Sequence, residues 1–501
     1  MEAQLEPLAE HRGAPKPLSC LRERRNSVSL GGMTDMADVR AQVSALERVL
    51  ADQQERIGGL EAENAALRAR IAELEQRLSR NSRTSSKPPS SDPPWTKPRR
   101  RGSPKKRQRG GQPEHPGSNR ALLSSDKVDR VEEHRPTCCE KCSALLLGED
   151  SAPRRWQVIE TPPVKPVVTE HRVHRLRCLA CGHTTQGAVP PEMASAFGTR
   201  VHATAAWLTG RLGISKRNVQ ELLSTLFGLE LSLGSISAME RRVADALETP
   251  YAEAWATARA APVLHPDETP WYEDRQLAWL WVMATRQVTV FRIQARRNAE
   301  AAREMLGEDF EGAACTDRHG AYNWIETRGL CWAHLRRNFE AMAETPGGEW
   351  YGQRLRAAAG RVITTWYAHA RGEIEAEAMF AAISEDRRQI EDVLGWAAAQ
   401  VPFRRVQRQA QALLDRRDQL WTFLDVSDMP PDNNIAERAL RRGVLWRKRS
   451  FGTDSSAGSR FAERILTAVE TLRAQERDVV DFLTDAYAAH LSQQPSPSLL
   501  P

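Results

Sequence analysis

The sequence predicts a multidomain α/β protein, and three observations carry that prediction. A sustained heptad spans residues 43–78, two Cys-x-x-Cys pairs follow it, and successive strand-like runs further on give way to alternating helix and strand patterns. At 501 residues the chain has length for about three domains. Its net charge of +6 is modest for that length, so the placement of charge matters more than its sum. No run of eighteen apolar residues occurs, and no apolar stretch follows the N-terminal charges. Neither a membrane span nor a secretory signal is therefore expected.

Residues 1–35 mix Pro, Gly, Arg and Ser without periodicity and read as a disordered leader, with Met33 and Met36 as alternative starts. Residues 36–80 read as a coiled coil. Val43, Leu46, Leu50, Gln53, Ile57, Leu60, Asn64, Leu67, Ile71, Leu74 and Leu78 alternate steps of three and four. Asn64 falls at an a position, where one buried Asn favours a parallel two-stranded register. A single amphipathic helix packed on its own domain is the alternative. Residues 81–120 are rich in Ser, Pro and Gly and carry Arg99, Arg100, Arg101, Lys105, Lys106, Arg107 and Arg109, with no acid between Asp92 and Glu114. Such a segment buries too little apolar surface to fold. It reads as a basic disordered arm able to neutralise phosphates, or else as a solvated linker.

Residues 121–195 read as a zinc-binding module. Cys139-x-x-Cys142 and Cys178-x-x-Cys181 offer four thiolates to one structural Zn²⁺. Cys138 could compete as a ligand, and His171, His174 and His183 lie close by. Residues 156–160 and 167–178 between the pairs read as strands. Residues 196–255 return to helical periods. Ser215 is expected to cap the second helix, Gly228 to end it, and Ser235 or Ser237 to cap a third that carries Arg241 and Arg242. A helix-turn-helix entering a major groove and a plain helical packing region both fit this pattern.

Residues 256–334 read as strands at 262–267, 277–285, 288–293, 312–317 and 329–334, with helices between the last three. Asp267 ends the first strand and Asp317 the fourth. Residues 335–425 are Arg- and Ala-rich and read as a helical insertion, 426–490 complete the core, and 491–501 read as a disordered tail. Asn433 and Asn434 open a helix on which Glu437 and Arg441 share one face. Glu437 would face a metal while Arg438 and Arg441 offer cations to phosphate. Glu268, Asn434 and His334 are expected to support the acids. His334 reads equally well as a phosphate-orienting side chain or as a buried core histidine. Three carboxylates gathered from distant elements can hold two divalent cations, which clamp the attacking and leaving oxygens of a phosphodiester displacement.

The segments Asp267-Glu268-Thr269, Thr316-Asp317-Arg318, Cys331-Trp332-Ala333-His334 and residues 433–441 resemble the insertion-sequence-66 family of bacterial transposases. Residues 81–92 and 110–117 resemble its N-terminal signature, and the likeness runs from about residue 45 to 488. The resemblance implies a DDE transposase with an RNase H-like catalytic core and catalytic Asp267, Asp317 and Glu437 on two Mg²⁺ (or Mn²⁺). It implies cleavage and strand transfer at the ends of an insertion sequence, with DNA as element end and target. It also implies accessory proteins of the same element, while the heptad points to a homodimer or larger assembly and the clustered cysteines to a reducing, cytoplasmic (nucleoid-associated) location. One departure marks a subgroup: Arg318 and His319 follow Asp317 where many members place Gly and Tyr. A catalytically inactive, transposase-derived DNA-binding regulator and a metal-dependent DNA nuclease are the competing functions.

Overall fold

The computed structural model describes residues 36–79, 121–401 and 403–501. The expected leader and the basic arm, with Arg99, Arg100, Arg101, Lys105, Lys106, Arg107 and Arg109, lie outside the described residues. The chain divides into two compact units, Met1–Ser79 and Arg80–Pro501.

In the first unit a single helix, α1 (Met36–Ser79), covers the whole heptad stretch. Its seam is exposed in the single chain: Leu46, Leu50 and Leu60 are 62%, 60% and 58% accessible. Asn64 Nδ2 donates to the Leu60 carbonyl at 3.0 Å.

The second unit opens with the cysteine module. Its ordered strands are only β1 (Arg175–Arg177) and β2 (Thr184–Gln186), an antiparallel hairpin around Cys178 and Cys181. The longer strands expected at 156–160 and 167–178 do not form. Trp156, Val158, Val167 and Val168 are exposed, so their apolar residues gain neither a ladder partner nor a core.

Four helices follow: α2 (Thr199–Gly210), α3 (Lys216–Phe227), α4 (Leu233–Ala246) and α5 (Glu248–Arg259). Ser215 caps α3 by accepting the Asn218 amide, and left-handed Gly228 ends it, both as expected. The cap of α4 is Ser232 rather than Ser235 or Ser237. Leu231 is buried and anchors the chain one residue earlier, so the helix starts as soon as that anchor is set.

The main sheet comprises β3 (Val263–Glu273), β4 (Gln276–Ala284), β5 (Thr289–Gln294), β6 (Ala313–Thr316) and β7 (Arg328–Leu330), in the order β5-β4-β3-β6-β7. The β3–β4–β5 meander is antiparallel, whereas β6 runs parallel to both β3 and β7. Helix α6 (Ala299–Leu306) links β5 to β6, but a 3₁₀ turn, Gly320–Tyr322, replaces the helix expected between β6 and β7. Strand β3 extends beyond its expected end, so Asp267 lies mid-strand. Pro266 and Pro270 are tolerated because β6 pairs only with Val263 and Leu264, leaving the other edge of β3 free of ladder bonds beyond them.

The segment expected as a strand at 329–334 changes state at Cys331. Helix α7 (Trp332–Ala343) starts there, with Cys331 as its N-cap residue. It leads into α8 (Glu349–Ala370), α9 (Ala376–Gln400), α10 (Arg404–Leu414) and α11 (Arg417–Asp425). These helices share one core with Cys315, Leu330 and Met429, so they pack on the β6–β7 end of the sheet.

Helices α12 (Asn434–Ser450), α13 (Ser456–Ala474) and α14 (Val479–Leu491) complete the unit. Helix α12 lies on the face of β3–β5 that presents Trp271, Leu280 and Val282, and a Cβ at Gly443 would meet Leu280 Cδ2 at 2.3 Å. Helix α13 closes the edge of β5. Glu463, Thr467 and Thr471 accept the amides of Ile293, Phe291 and Thr289 at 2.7–3.0 Å. The match is geometric: four helical residues rise about 6 Å and two strand residues about 6.6 Å. The tail expected to be disordered is packed. Leu499 is buried, and Arg477 donates to the carbonyls of Ser498 and Leu500. Among the described residues no helix is long and apolar enough to cross a membrane.

Candidate active site

Strand alternation separates Asp267 from its neighbour Glu268. Asp267 stands opposite Val282, on the face covered by α12. Glu268 stands opposite Trp281, on the face covered by α6 and the Gly320–Tyr322 turn. Burial first, and then the charges of Glu268 and Asp317, push the Asp267 carboxyl well above the usual carboxylate range, while His334 pulls the other way. The ionised form is therefore short of positive charge.

Asp317 follows β6, the parallel neighbour of β3. Its Oδ1 accepts the His319 amide at 2.8 Å. Arg328, 2% exposed within β7, fixes this loop. It donates to Thr316 Oγ1, the Asp317 and His319 carbonyls and Asn323 Oδ1, at 2.7–3.1 Å. The carbonyls of Asp317 and His319, on either side of Arg318, are thus held by a buried guanidinium.

Glu268 supports Asp317 indirectly. Its carboxylate takes a 2.6 Å ion pair from Arg297 Nε and a short hydrogen bond from Tyr322 Oη. Arg297 Nη2 then lies 3.8 Å from Asp317 Oδ2, and its guanidinium stacks over Trp279. Arg297 and Arg328 went unrecognised in the sequence, although each is a charged residue beside an apolar strand, which calls for a partner.

Glu437 sits in the first turn of α12. Its expected face-mate Arg441 is exposed, as is Arg438. The partner of Glu437 is instead Arg337 of α7, with Nη2 2.9 Å from Oε1, and His334 Nδ1 lies 3.4 Å from the same oxygen. The brace expected of Asn434 comes from Asn433. Asn433 Nδ2 donates to the Pro266 carbonyl at 2.8 Å, and its Oδ1 faces His265 Nδ1 at 3.1 Å. Burial holds the His265 imidazole down to about 4, so it is neutral at physiological pH and donates through Nδ1. These bonds pin the start of α12 to β3 one residue from Asp267. The capping acceptor is Asp432, whose Oδ1 takes the Asn434 amide and the Tyr367 hydroxyl.

Cys331 also faces this region. Its Sγ accepts the Asn433 amide at 3.1 Å. Burial opposes its ionisation, but the Cys315 thiol and His334 outweigh that and hold the Cys331 thiol well below its usual range. Cys331, His334 and Glu437 bring ligand atoms within 4.8 Å of one another, the one such group of three among the described residues. Neither the two cysteine pairs nor Asp267, Asp317 and Glu437 close to that spacing.

In the cysteine module each pair forms a matching turn. The Ser143 amide bonds the Cys139 carbonyl and the Gly182 amide the Cys178 carbonyl, both at 2.8 Å, with Ser143 and Gly182 at positive φ. Backbone amides of Cys142 and Cys181 lower the thiols of Cys139 and Cys178. Two exposed turns that favour thiolates suit a soft cation. Between α8 and α9 a groove of about 1140 Å³ is lined by Arg336, Arg354, Arg356, Arg361, Arg388 and Trp396, among others. Arg336 places its rim on α7, the helix of His334 and Arg337.

Comparison with known proteins places the chain in a class. Residues 194–460, more than half the chain, match the family described as "Transposase IS66 family". Residues 136–182 match the "zinc-finger binding domain of transposase IS66", and residues 33–121 match a family of unknown function. An uncharacterized protein, y4qI, of Sinorhizobium fredii (strain NBRC 101917 / NGR234) is 25% identical over 411 residues, covering 71% of this chain and 72% of that protein. The chain is a DNA transposase, and it belongs to the IS66 family. All three acids fall inside the transposase match and all four paired cysteines inside the zinc-finger match.

Proposed function

We propose that the chain cuts and joins DNA at the ends of an insertion sequence, with Asp267, Asp317 and Glu437 as its catalytic acids on an RNase H-like core. The observation that carries this reading is the pinning of α12 by Asn433. Asn433 bonds the strand residue beside Asp267, and Glu437 follows one turn later on the helix that covers the Asp267 face, which supports a common centre. The oxygen donors and the shortage of positive charge at Asp267 fit hard divalent cations such as Mg²⁺ or Mn²⁺. Two such ions would supply Lewis acidity at the attacking and leaving oxygens of the phosphodiester.

The chain's own residues supply position. Arg328 and the Glu268–Arg297 pair hold the Asp317 loop, and Asn433 holds Glu437. Arg337, released from Glu437, turns to a phosphate oxygen as Arg438 and Arg441 do. The groove of Arg336, Arg354 and Arg388 takes the DNA backbone, so the helical insertion contacts DNA. Cys139, Cys142, Cys178 and Cys181 hold one structural Zn²⁺, α1 pairs with a second copy as a parallel coiled coil, and the α2–α4 region and the basic arm add DNA contacts. Accessory proteins of the same element join the assembly.

The test is strand cleavage and strand transfer on DNA carrying the element ends, with Asp267→Asn, Asp317→Asn and Glu437→Gln. Each should abolish both reactions while DNA binding persists. Cleavage without joining in the wild type would instead establish a nuclease, and DNA binding without either reaction a regulator.

A further inference from the structure

We infer that Cys331, His334 and Glu437 form a cation site of a different chemical class from the acids on the sheet, one that takes a zinc-type ion. Three features of the structure lead there. The first is convergence, with the thiol, imidazole and carboxylate ligand atoms all within 4.8 Å. The second is spacing. Two ligands about 2.1 Å from a tetrahedral zinc sit about 3.4 Å apart, and His334 Nδ1 and Glu437 Oε1 are 3.4 Å apart already. The third is an unsatisfied donor set. His334 Nδ1 is shielded from solvent and makes no hydrogen bond.

The local structure prepares each ligand. Cys331 is the N-cap residue of α7, where the positive end of the helix dipole favours a thiolate. The Asn433 amide already donates to its sulfur. His334 follows three residues later, on the same side of the helix start. Glu437 arrives from α12, which Asn433 pins in place. Arg337 satisfies Glu437 from the outside, and both side chains are about 30% exposed (27% and 31%). An incoming dication therefore displaces one partly solvated guanidinium. Three protein ligands leave the fourth position open to water.

A thiolate in the set selects a soft or borderline ion over Mg²⁺. This separates the site from the oxygen-only set of Asp267 and Asp317, although both need Glu437. It follows that zinc in this site and magnesium on the sheet acids exclude one another, a consequence that rests on the proposed role of Glu437. The cation site itself does not rest on that role.

The experiment is zinc content of the full chain after equilibrium dialysis against ZnCl₂ with excess Mg²⁺, alongside thermal melts. The wild type should hold one zinc ion more than either His334→Ala or Cys331→Ser, and Asp267→Asn should hold as many as the wild type. His334 is partly exposed, so His334→Ala should melt close to the wild type even if Cys331→Ser loosens the fold. Substituting Co²⁺ should give a sulfur-to-cobalt absorption component that disappears in Cys331→Ser. Equal zinc content in the wild type and His334→Ala would overturn the inference. An active Asp267→Asn enzyme would sink the catalytic reading and leave the zinc count unchanged, so the two failures are distinguishable.

Discussion

Asn433→Ala is the perturbation that separates positioning from chemistry. The Asn433 side chain is 1% exposed and joins two buried partners, the Pro266 carbonyl and the neutral His265 imidazole. Truncation leaves both without a bond. Each orphaned buried group costs about 1–3 kcal/mol, so the loss should be about 2–5 kcal/mol once some rehydration of the gap is allowed. Local freedom at the α12 start should then cost activity beyond what global stability explains. The Glu437 amide bonds the Asn433 carbonyl, so the acid moves with the residue. A misplacement of about 1 Å at a catalytic group costs on the order of 100-fold in rate. Chemical unfolding followed by circular dichroism measures the first quantity. Strand transfer well below the melting transition measures the second, with DNA affinity as the control. A stability change under about 1 kcal/mol would contradict the burial argument, and wild-type transfer would refute the positioning role.

In metal-free protein, burial and the charges of Glu268 and Asp317 raise Asp267 above its unfolded value. The stability it contributes is complete below the ordinary carboxylate range and is lost as pH rises toward the folded value. Calorimetry without divalent ions should therefore find Asp267→Asn melting above the wild type at neutral pH, with added Mg²⁺ stabilising the wild type more than the variant. Glu268→Gln removes a charge from Arg297 without touching the α12 face, so transfer should fall by about tenfold, equivalent to 1.4 kcal/mol, and not vanish; complete loss would make Glu268 a ligand. Cys178→Ser should release one zinc ion and open only the cysteine module to protease, since such sites fold with their metal; unchanged zinc content and protection would reject the four-cysteine assignment. A 36–80 fragment should be helical with concentration-dependent melting, and Asn64→Leu should raise its stability while loosening its oligomer choice; a fragment that stays monomeric at high concentration would return α1 to a lone helix.

Much of this architecture was legible because periodicity reports burial. The strands β3–β5 follow from their apolar runs, and the α3 boundaries from helical periodicity with Ser215 and Gly228, which act locally. The errors have physical causes. Leu330, Cys331 and Trp332 are apolar whether the chain continues as a strand or turns into α7, and only the packing of Trp332 on Trp421 decides. The tail looked disordered because Leu499 is buried by distant residues, not by its neighbours. Asp267 and Glu268 are adjacent in sequence, and only the β3–β4 register assigns them to opposite faces. The roles of Asn433, Arg297 and Arg328 likewise depend on partners brought in by the fold. Cys331 shows no partner in the sequence, because Glu437 approaches it from more than a hundred residues later.

The proposal that Asp267, Asp317 and Glu437 hold one metal centre is tested directly by replacing Mg²⁺ with Fe²⁺ in the full chain and mapping peptide-bond cleavage by the radicals it generates. An ion held by all three acids should cut the chain near residues 267, 317 and 437 together, and Asp267→Asn should suppress all three cuts. Cuts near 331–337 and 437, with residues 267 and 317 untouched, would place the iron in the thiolate site and contradict a shared carboxylate centre.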